Sequence, residues 1–486
     1  MEKREKIIIG LVFALGIFLT FFQFTDTPNI WLDEGAFTET AKNIALHQIV
    51  GLQTAPGEFF TMNSFVLSTG YPVIFPVALS IATFGLGVWQ ARLPMALFMC
   101  ALMLLYYIYT RKRYGFYPAI TAVLGLISFS PFYGNGRPVQ GEVPGLVFLV
   151  LGSYLLLLWE ESQFRNKKWA LGAGLALGLA AATKPIFLLG VPIVLCITAT
   201  LWFRKIENKK VILPFIAGLV LPVILWFFIP PPTLESLSKI LPAYVYLASN
   251  HGSDVSAIQT VLFNAKRFFT ESTPILFSII FTAIVGSFAL RFFRKENVYI
   301  SISECFIFTF IVVNIGGYLA GTGWYRYFFP AHALLYILFG PSLFALAYHS
   351  TSKIWKGTLY TFLTALFAFQ FYHLIFLSDT SYVHPRTRNT QVKEVLSRID
   401  TSKSVLFYGS PEVLILYPGA HYSHYLAIAN TLDTGNVDIF KTKSFDVVFT
   451  RRDFHADTDD SKALFTCYTR KAVDRYFLFE KIEGCK

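Results

Sequence analysis

Residues 91–110 have the sequence ARLPMALFMCALMLLYYIYT, and the basic residues Arg111, Lys112 and Arg113 follow directly. An apolar run of about 20 residues is long enough for one helix to cross the hydrocarbon core of a bilayer. Lys and Arg accumulate in the cytoplasmic loops of membrane proteins, so these residues predict a cytoplasmic end for the helix. Comparable runs recur from the N-terminus to residue 377. They predict an α-helical polytopic membrane protein.

The composition supports the same class. Hydrophobic residues make up 54% of the 486-residue chain, and Asp, Glu, Lys and Arg together make up 15%, where soluble domains carry about 25%. This excludes a disordered chain, a disulfide-rich miniprotein and a water-soluble enzyme. The net charge of +11 is explained by basic cytoplasmic loops. We therefore expect membrane lipids, and no nucleic acid, among the partners.

The distribution of basic clusters predicts the topology. The basic stretch 1–6 precedes an apolar run at 7–24. A cleaved signal peptide is the alternative, but no Ala-x-Ala-like site follows, which favours an uncleaved anchor with a cytoplasmic N-terminus. All later clusters are cytoplasmic if an even number of spans separates each neighbouring pair. Those clusters are 111–113, 165–168, 204–210, 291–295 and 353–356.

The N-terminus and Arg111 are both predicted to be cytoplasmic, so an even number of spans must separate them. Because the run at 7–24 is one span, only one more crossing fits between residue 24 and Arg111, although two apolar runs lie there. The run at 71–88 contains Pro72 and Pro76, so we expect a bent, half-embedded segment at the outer face, and a full span at 91–110. The count becomes about eleven transmembrane helices. Residues 1–377 then form the membrane core, with a first exterior loop at 25–90, in the plasma or inner membrane of a cell.

Residues 378–486 are polar and mixed, and we expect them to form a small exterior C-terminal α/β domain. The spacing of apolar residues over 391–399 predicts a helix. Val-, Phe- and Tyr-rich runs at 404–408, 444–450 and 475–479 predict strands. Cys467 and Cys485 lie in this domain, where a disulfide is permitted, and the sequence leaves their pairing open.

The first exterior loop contains Trp31-Leu-Asp33-Glu34-Gly-Ala-Phe37 ahead of an amphipathic stretch. Asp33 has two interpretations. It either caps the following helix, since Asp accepts from free backbone N–H groups there, or supplies a catalytic carboxylate, and both roles are compatible. Adjacent acids also suit the positive end of the helix dipole.

Several cations fall at predicted exterior ends of spans, where Lys and Arg are disfavoured. Each one alone is explained by snorkelling of its head group to the interface. Together with Asp33, Glu34 and Glu142, they suggest one polar site at the outer face. Such a site suits a phosphate-bearing lipid, because Arg and Lys pair strongly with phosphate oxygens. The cations are Arg92, Arg137, Lys184 and Arg326.

With these motifs in order, residues 1–350 resemble the class C glycosyltransferases that use lipid-phosphate sugars, notably protein O-mannosyltransferases and lipid A aminoarabinose transferases. The shared features are Asp33-Glu34, a Pro-containing segment at 71–76, Arg92-Leu-Pro94, a loop from Arg137 to Glu142, Thr183-Lys184 and Arg326-Tyr327. Two positions depart from the family pattern. Glu142 stands where Asp is usual, and Tyr71-Pro72 replaces a Pro-Pro pair.

The resemblance implies inverting transfer of a sugar from a polyprenyl phosphate to an acceptor hydroxyl. A hydroxyl needs a positioned base, and Asp33, beside Glu34, is the candidate. Fixed cations stabilise the departing phosphate. Glu142 is expected to orient the acceptor or an arginine. The donor-phosphate ligands are expected to be Lys184 and Arg326 first, then Arg92 and Arg137, with Tyr327 from the Arg-Tyr motif.

The resemblance leaves the acceptor open between a lipid, a glycan and a protein. Some relatives bind a divalent ion and others do not, so we expect no obligatory metal or other cofactor. Two other functions stay open. A polyprenyl-linked glycan ligase or flippase also needs a basic cavity along the membrane, but no first-loop Asp. A transporter is disfavoured because no ionisable residue lies clearly at mid-span and no repeat symmetry is visible.

The topology is testable with a reporter that is active only in the cytoplasm. We expect activity after fusion at Lys112, Lys167 or Lys295, and none after fusion at Lys486, because eleven spans place the two termini on opposite sides. Cytoplasmic activity at Lys486 would refute both the odd number of spans and the exterior location of the C-terminal domain.

Overall fold

The structure is a computed structural model that describes residues 3–61, 68–204, 209–229, 256–295, 299–348, 352–378, 388–417, 419, 421–425, 427–428, 432–433, 444–452 and 466–485. Residues 205–208 of one basic cluster lie outside these ranges. The helices are α1 (Lys3–Phe21), α2 (Leu32–His47), α3 (Tyr71–Phe84), α4 (Val88–Tyr114), α5 (Phe116–Ser128), α6 (Ser130–Gly136), α7 (Glu142–Glu161), α8 (Lys167–Thr183), α9 (Gly190–Arg204), α10 (Ile212–Phe228), α11 (Ala257–Thr270), α12 (Ser272–Phe293), α13 (Ile302–Ala320), α14 (Tyr325–Tyr348), α15 (Lys353–Tyr372) and α16 (Arg388–Ser397). The strands are β1 (Gly51–Ala55), β2 (Glu58–Thr61), β3 (Val405–Tyr408), β4 (Ser423–Tyr425), β5 (Ala427–Ile428), β6 (Leu432–Asp433), β7 (Val447–Arg451), β8 (Tyr468–Val473) and β9 (Tyr476–Lys481).

The predicted helical membrane architecture is confirmed. Within the described ranges, six helices are long and apolar enough to cross a membrane, and a seventh span arises if α5 and α6, bent by 66°, count as one. Shorter apolar helices occupy Tyr71–Phe84, Pro185–Ala199 and Ile212–Phe228. A helix lies at each predicted span, but the count of eleven stays a prediction.

Helix α3 corresponds to the segment predicted to be half-embedded. It has 14 residues, which at 1.5 Å per residue span about 21 Å, less than the roughly 30 Å of a hydrocarbon core. Pro72 occupies its first turn, where the missing N–H costs nothing. Pro76 lies inside the helix. The length fits a segment that does not cross the bilayer alone.

Helices α8 and α10 pack with their backbones close together. A Cβ added to Gly174 would lie 2.1 Å from the Phe215 carbonyl oxygen, and one added to Gly218 would lie 2.5 Å from that of Leu171. Glycine is therefore required on both helices, as expected where small residues let membrane helices approach. This packing sets the position of Lys184, which follows directly after α8.

The C-terminal domain has a five-stranded sheet with the order β4-β3-β7-β9-β8. Strand β3 is parallel to β4 and β7, and β9 is antiparallel to β7 and β8. Helix α16 buries Val392 and Leu396 against one face, together with Phe407 and Phe449. The small α/β region was predicted correctly, and strands β4 and β8 were not anticipated.

Cys467 and Cys485 are joined by a disulfide, which closes a loop with a sequence separation of 18. The bond connects the start of β8 to the segment after β9. Cys100, Cys196 and Cys305 are not disulfide-bonded. Of the two pairing states that the sequence left open, the structure therefore has the bridged one.

Alkylation followed by intact-mass measurement tests the bridge. Without reductant, unfolded protein should take up three alkyl groups, and with reductant it should take up five. Loss of a bridge closing a loop of this size should destabilise the domain by roughly 3 kcal/mol, measured by denaturant unfolding. Five alkylated thiols without reductant would contradict the assignment.

Candidate active site

Helix α2 presents Asp33 and Glu34 in its first turn. Trp31 has extended backbone and takes the N-cap position, and its side chain makes no capping hydrogen bond. Asp33 therefore does not serve as the cap, and its carboxylate is directed elsewhere. Both acids still benefit from the positive end of the helix dipole.

Asp33 forms an ion pair with Arg326, in the first turn of α14. Three aromatic rings surround the guanidinium, with centroids at 4.8 Å (Trp324), 4.9 Å (Trp31) and 5.0 Å (Tyr327). The Arg326 side chain is 16% exposed and that of Asp33 is 26% exposed. This pair is therefore held in place by the rings yet is open to solvent.

A second ion pair joins Lys184 and Glu142, and both side chains are buried. Lys184 follows α8 in extended backbone, and Glu142 opens α7. Their loops touch, because a Cβ on Gly141 would lie 2.6 Å from the carbonyl oxygen of Thr183. Close backbone contact thus places the two side chains together.

The two ion pairs form one network. Lys184 Nζ lies 5.7 Å from the centroid of the Tyr327 ring, and the Tyr327 hydroxyl accepts from Arg326 at 3.2 Å. With the Gln140 amide assigned the orientation that satisfies both neighbours, its nitrogen donates to Glu142 Oε2 at 3.2 Å and its oxygen accepts from the Trp31 indole N–H at 2.6 Å. We call the set Asp33, Arg326, Tyr327, Lys184 and Glu142 the paired-charge cluster.

Arg92 and Glu34 lie outside this cluster and bind each other. The guanidinium makes two hydrogen bonds of 2.7 Å to the Glu34 carboxylate, and also donates to the carbonyls of Phe24 and Pro28 at 2.7 and 3.0 Å. Both side chains are buried. These bonds join α2 to α4 and to the end of the first span, so we assign the pair a structural role.

Arg137 is also fully buried and lies outside the cluster. It donates to the carbonyls of Leu19 and Phe22 at 2.6 and 3.2 Å, and to Thr27. Carbonyls at a helix C-terminus lack intrahelical partners, and a cation is favoured there. Arg137 therefore closes the end of α1.

Three residues around the cluster were not predicted as site residues: Trp31, Gln140 and Trp324. Trp31 and Gln140 do lie within the two quoted loop motifs, and Trp324 lies two residues before Arg326. Proximity to a motif was therefore the only available signal. Within the described residues, no group of three His, Cys, Asp or Glu side chains is arranged to hold a metal ion. The expectation of no obligatory metal stays a prediction.

Comparison with known proteins identifies the fold. Residues 72–228 match the sequence model of a family described as dolichyl-phosphate-mannose-protein mannosyltransferase. The structure is similar to that of ArnT from Cupriavidus metallidurans bound to undecaprenyl phosphate, with a TM-score of 0.66, 12% identity and coverage of 98% of both chains. The chain has a class C glycosyltransferase fold. The predicted resemblance is thereby confirmed.

Two archaeal structures have the same fold at lower similarity. The apo oligosaccharyltransferase of Archaeoglobus fulgidus gives a TM-score of 0.57 at 11% identity, covering 99% of this chain and 74% of the other. AglB from the same organism, in complex with an inhibitory peptide and a dolichol-phosphate, gives 0.56 at 10% identity, with the same coverage. No curated protein matches in sequence. The comparisons support an enzyme that transfers glycosyl groups.

The structural role of Arg92 predicts the effect of its loss. Arg92→Leu leaves the Glu34 carboxylate buried without its partner, which typically costs about 3–5 kcal/mol. The matched control is Lys112→Leu, because Lys112 pairs with Glu161 at the surface, where a pair contributes up to about 1 kcal/mol. Thermal unfolding in detergent should separate the two variants. An Arg92→Leu protein as stable as the control would contradict the structural assignment.

Proposed function

We propose that this chain transfers a sugar from a polyprenyl phosphate to an acceptor hydroxyl at the outer face of the membrane. The observation that carries the proposal is the paired-charge cluster, in which two cations meet beside a solvent-accessible carboxylate at the ends of apolar helices. The matched structures support the donor class, since ArnT was solved with undecaprenyl phosphate and AglB with a dolichol-phosphate.

Arg326 and Lys184 are the proposed ligands of the donor phosphate. Arg326 Nε has no hydrogen-bond partner in the described structure, and the guanidinium is partly exposed. Each cation is paired with one carboxylate. A phosphate that binds here replaces Asp33 as the partner of Arg326. It then gains negative charge as the glycosidic bond breaks. Cations already in place stabilise that charge without reorganisation.

Asp33 is the proposed general base. When the phosphate pairs with Arg326, the Asp33 carboxylate is released at the solvent-accessible side of the cluster. It then accepts the proton of the acceptor hydroxyl while the acceptor oxygen bonds to the anomeric carbon. The bond from that carbon to the phosphate oxygen breaks, and polyprenyl phosphate leaves. One displacement of this kind inverts the anomeric configuration.

The other acids have supporting roles in this proposal. Glu142 holds Lys184 and is itself oriented by Gln140. Both carboxylate oxygens of Glu34 accept hydrogen bonds from Arg92, and this pair holds the first turn of α2 against α4. Neither carboxylate is placed as freely as Asp33. We therefore assign proton transfer to Asp33 alone.

Donor binding and chemistry are separable by mutation. Purified protein is supplied with a panel of polyprenyl-phosphate sugars, and release of free polyprenyl phosphate is followed. Asp33→Asn should lower turnover by about a hundredfold or more, because general-base catalysis is lost. It should leave donor affinity unchanged or higher, because the competing carboxylate no longer pairs with Arg326.

Arg326→Ala and Lys184→Ala should act on binding instead. A hydrogen bond to a charged group is worth about 1.5–3 kcal/mol, so donor affinity should fall by roughly tenfold to a hundredfold. Lys112→Ala, which removes a cation far from the cluster in sequence, is the control. Wild-type donor affinity in both cluster variants, at matched folded fraction, would refute the phosphate site.

A further inference from the structure

One face of α2 is turned toward the C-terminal domain. Gly35, Glu39 and Lys42 are spaced i, i+4, i+7 and therefore lie on one side of the helix. Successive residues rotate by about 100° around a helix axis, so this side lies roughly opposite Asp33. The helix thus presents Asp33 to the paired-charge cluster and its other face to the C-terminal domain.

Gly35 makes the closest approach between the two. A Cβ added at this position would lie 2.3 Å from both the backbone nitrogen and the Cα of Glu412. Glu412 belongs to a short helical turn at Pro411–Leu416 in the C-terminal domain. Only glycine allows this contact, so the backbone of the domain is seated directly on the first half of α2.

Glu39 is the centre of a buried polar network across the same interface. His424 Nδ1 lies 3.0 Å from Glu39 Oε2, and both side chains are buried. The other oxygen, Oε1, accepts from the Tyr422 hydroxyl at 3.0 Å and from the Gln53 backbone N–H at 3.2 Å. One carboxylate therefore joins α2, the β1–β2 hairpin and the C-terminal domain.

Lys42 extends the network by one turn. Its ammonium donates to the Tyr422 hydroxyl at 2.9 Å and lies 4.5 Å from the centre of that ring. Burial lowers the pKa of Lys42, and the charge of Glu39 opposes this shift. Gln53 also donates to the Tyr422 carbonyl at 3.0 Å. Tyr422 is thereby held from both its ends by the first loop.

The start of α2 is held by the same domain. Arg475 donates to the carbonyl of Ile30 at 3.1 Å, three residues before Asp33. The C-terminal domain therefore contacts the segment on either side of the Asp33 turn. Buried ionic and polar groups are weak evidence for added stability, but their best-attested use is to specify one register. A fixed register is what a catalytic carboxylate on α2 requires.

We propose that Glu39 and His424 are positioning residues, through which the C-terminal domain holds α2 in the register that brings Asp33 to Arg326. The inference rests on the proposed function, because it assigns the network a role only through Asp33. It makes the C-terminal domain part of the catalytic unit.

The test compares His424→Leu, His424→Asn and Glu39→Gln in the full-length protein. An asparagine amide nitrogen occupies a position close to that of a histidine Nδ1, so His424→Asn keeps a polar nitrogen beside Glu39, whereas His424→Leu does not. Asp446→Asn is the control, because Asp446 binds Ser404 within the C-terminal domain and makes no contact with α2 among its hydrogen bonds. The measurements are kcat, affinity for undecaprenyl phosphate and amide hydrogen exchange over residues 32–38.

We expect His424→Leu and Glu39→Gln to lower kcat by about tenfold to a hundredfold, as small misplacements of catalytic groups do. Exchange over residues 32–38 should become faster, and affinity for undecaprenyl phosphate should be unchanged because Arg326 and Lys184 lie on other elements. His424→Asn should recover most of the rate, and Asp446→Asn should match the wild type.

Wild-type kcat in both His424→Leu and Glu39→Gln would overturn the inference. An equal loss of rate in His424→Asn and His424→Leu, with undecaprenyl phosphate binding lost as well, would also overturn it, since that pattern reports general unfolding. Asp33→Asn is measured in the same series. Absence of polyprenyl phosphate release by the wild-type protein refutes the proposed function itself. Full activity of Asp33→Asn refutes the general-base role, whereas an inactive Asp33→Asn with an active His424→Leu refutes only the positioning role.

Discussion

Charge compensation beside an apolar membrane core is the constraint on which this structure depends. An isolated charge is costly in such surroundings, and each cation predicted at an outer span end has a protein partner. Arg92 binds Glu34, Lys184 binds Glu142, Arg326 binds Asp33, and Arg137 binds carbonyls at the end of α1. The first loop, α4, α7, α8 and α14 are joined by these contacts.

The four cations nevertheless divide into two groups by how they are bonded. Arg92 and Arg137 donate to several backbone and side-chain oxygens that are fixed by the fold, so a ligand would have to compete with all of them. Lys184 and Arg326 each have one carboxylate partner and share contact with Tyr327. A phosphate replaces a single carboxylate more easily than a complete set, so the proposed donor site uses the second group.

Helix α2 connects the C-terminal domain to the proposed base. Its first turn is bound to α14 through Asp33 and to α4 through Glu34, and its opposite face is bound to the C-terminal domain through Glu39. The same helix therefore transmits the position of the C-terminal domain to the proposed base. A domain far along the chain is thus joined directly to the helix that carries the proposed base.

The sequence alone determined the helical membrane class, the small C-terminal α/β region and the resemblance to class C glycosyltransferases, because these follow from local runs of apolar residues and from short motifs. It also identified Asp33, Lys184 and Arg326 as candidates. Their partners were decided only by tertiary structure: nothing local distinguishes Arg92, which binds Glu34 and two backbone carbonyls, from Arg326, which has one carboxylate partner. The pairs join residues 58 and 293 positions apart, and packing at Gly35 and Gly141 sets which side chains meet. Sequence separation alone does not predict such contacts, since they depend on how whole helices pack against one another.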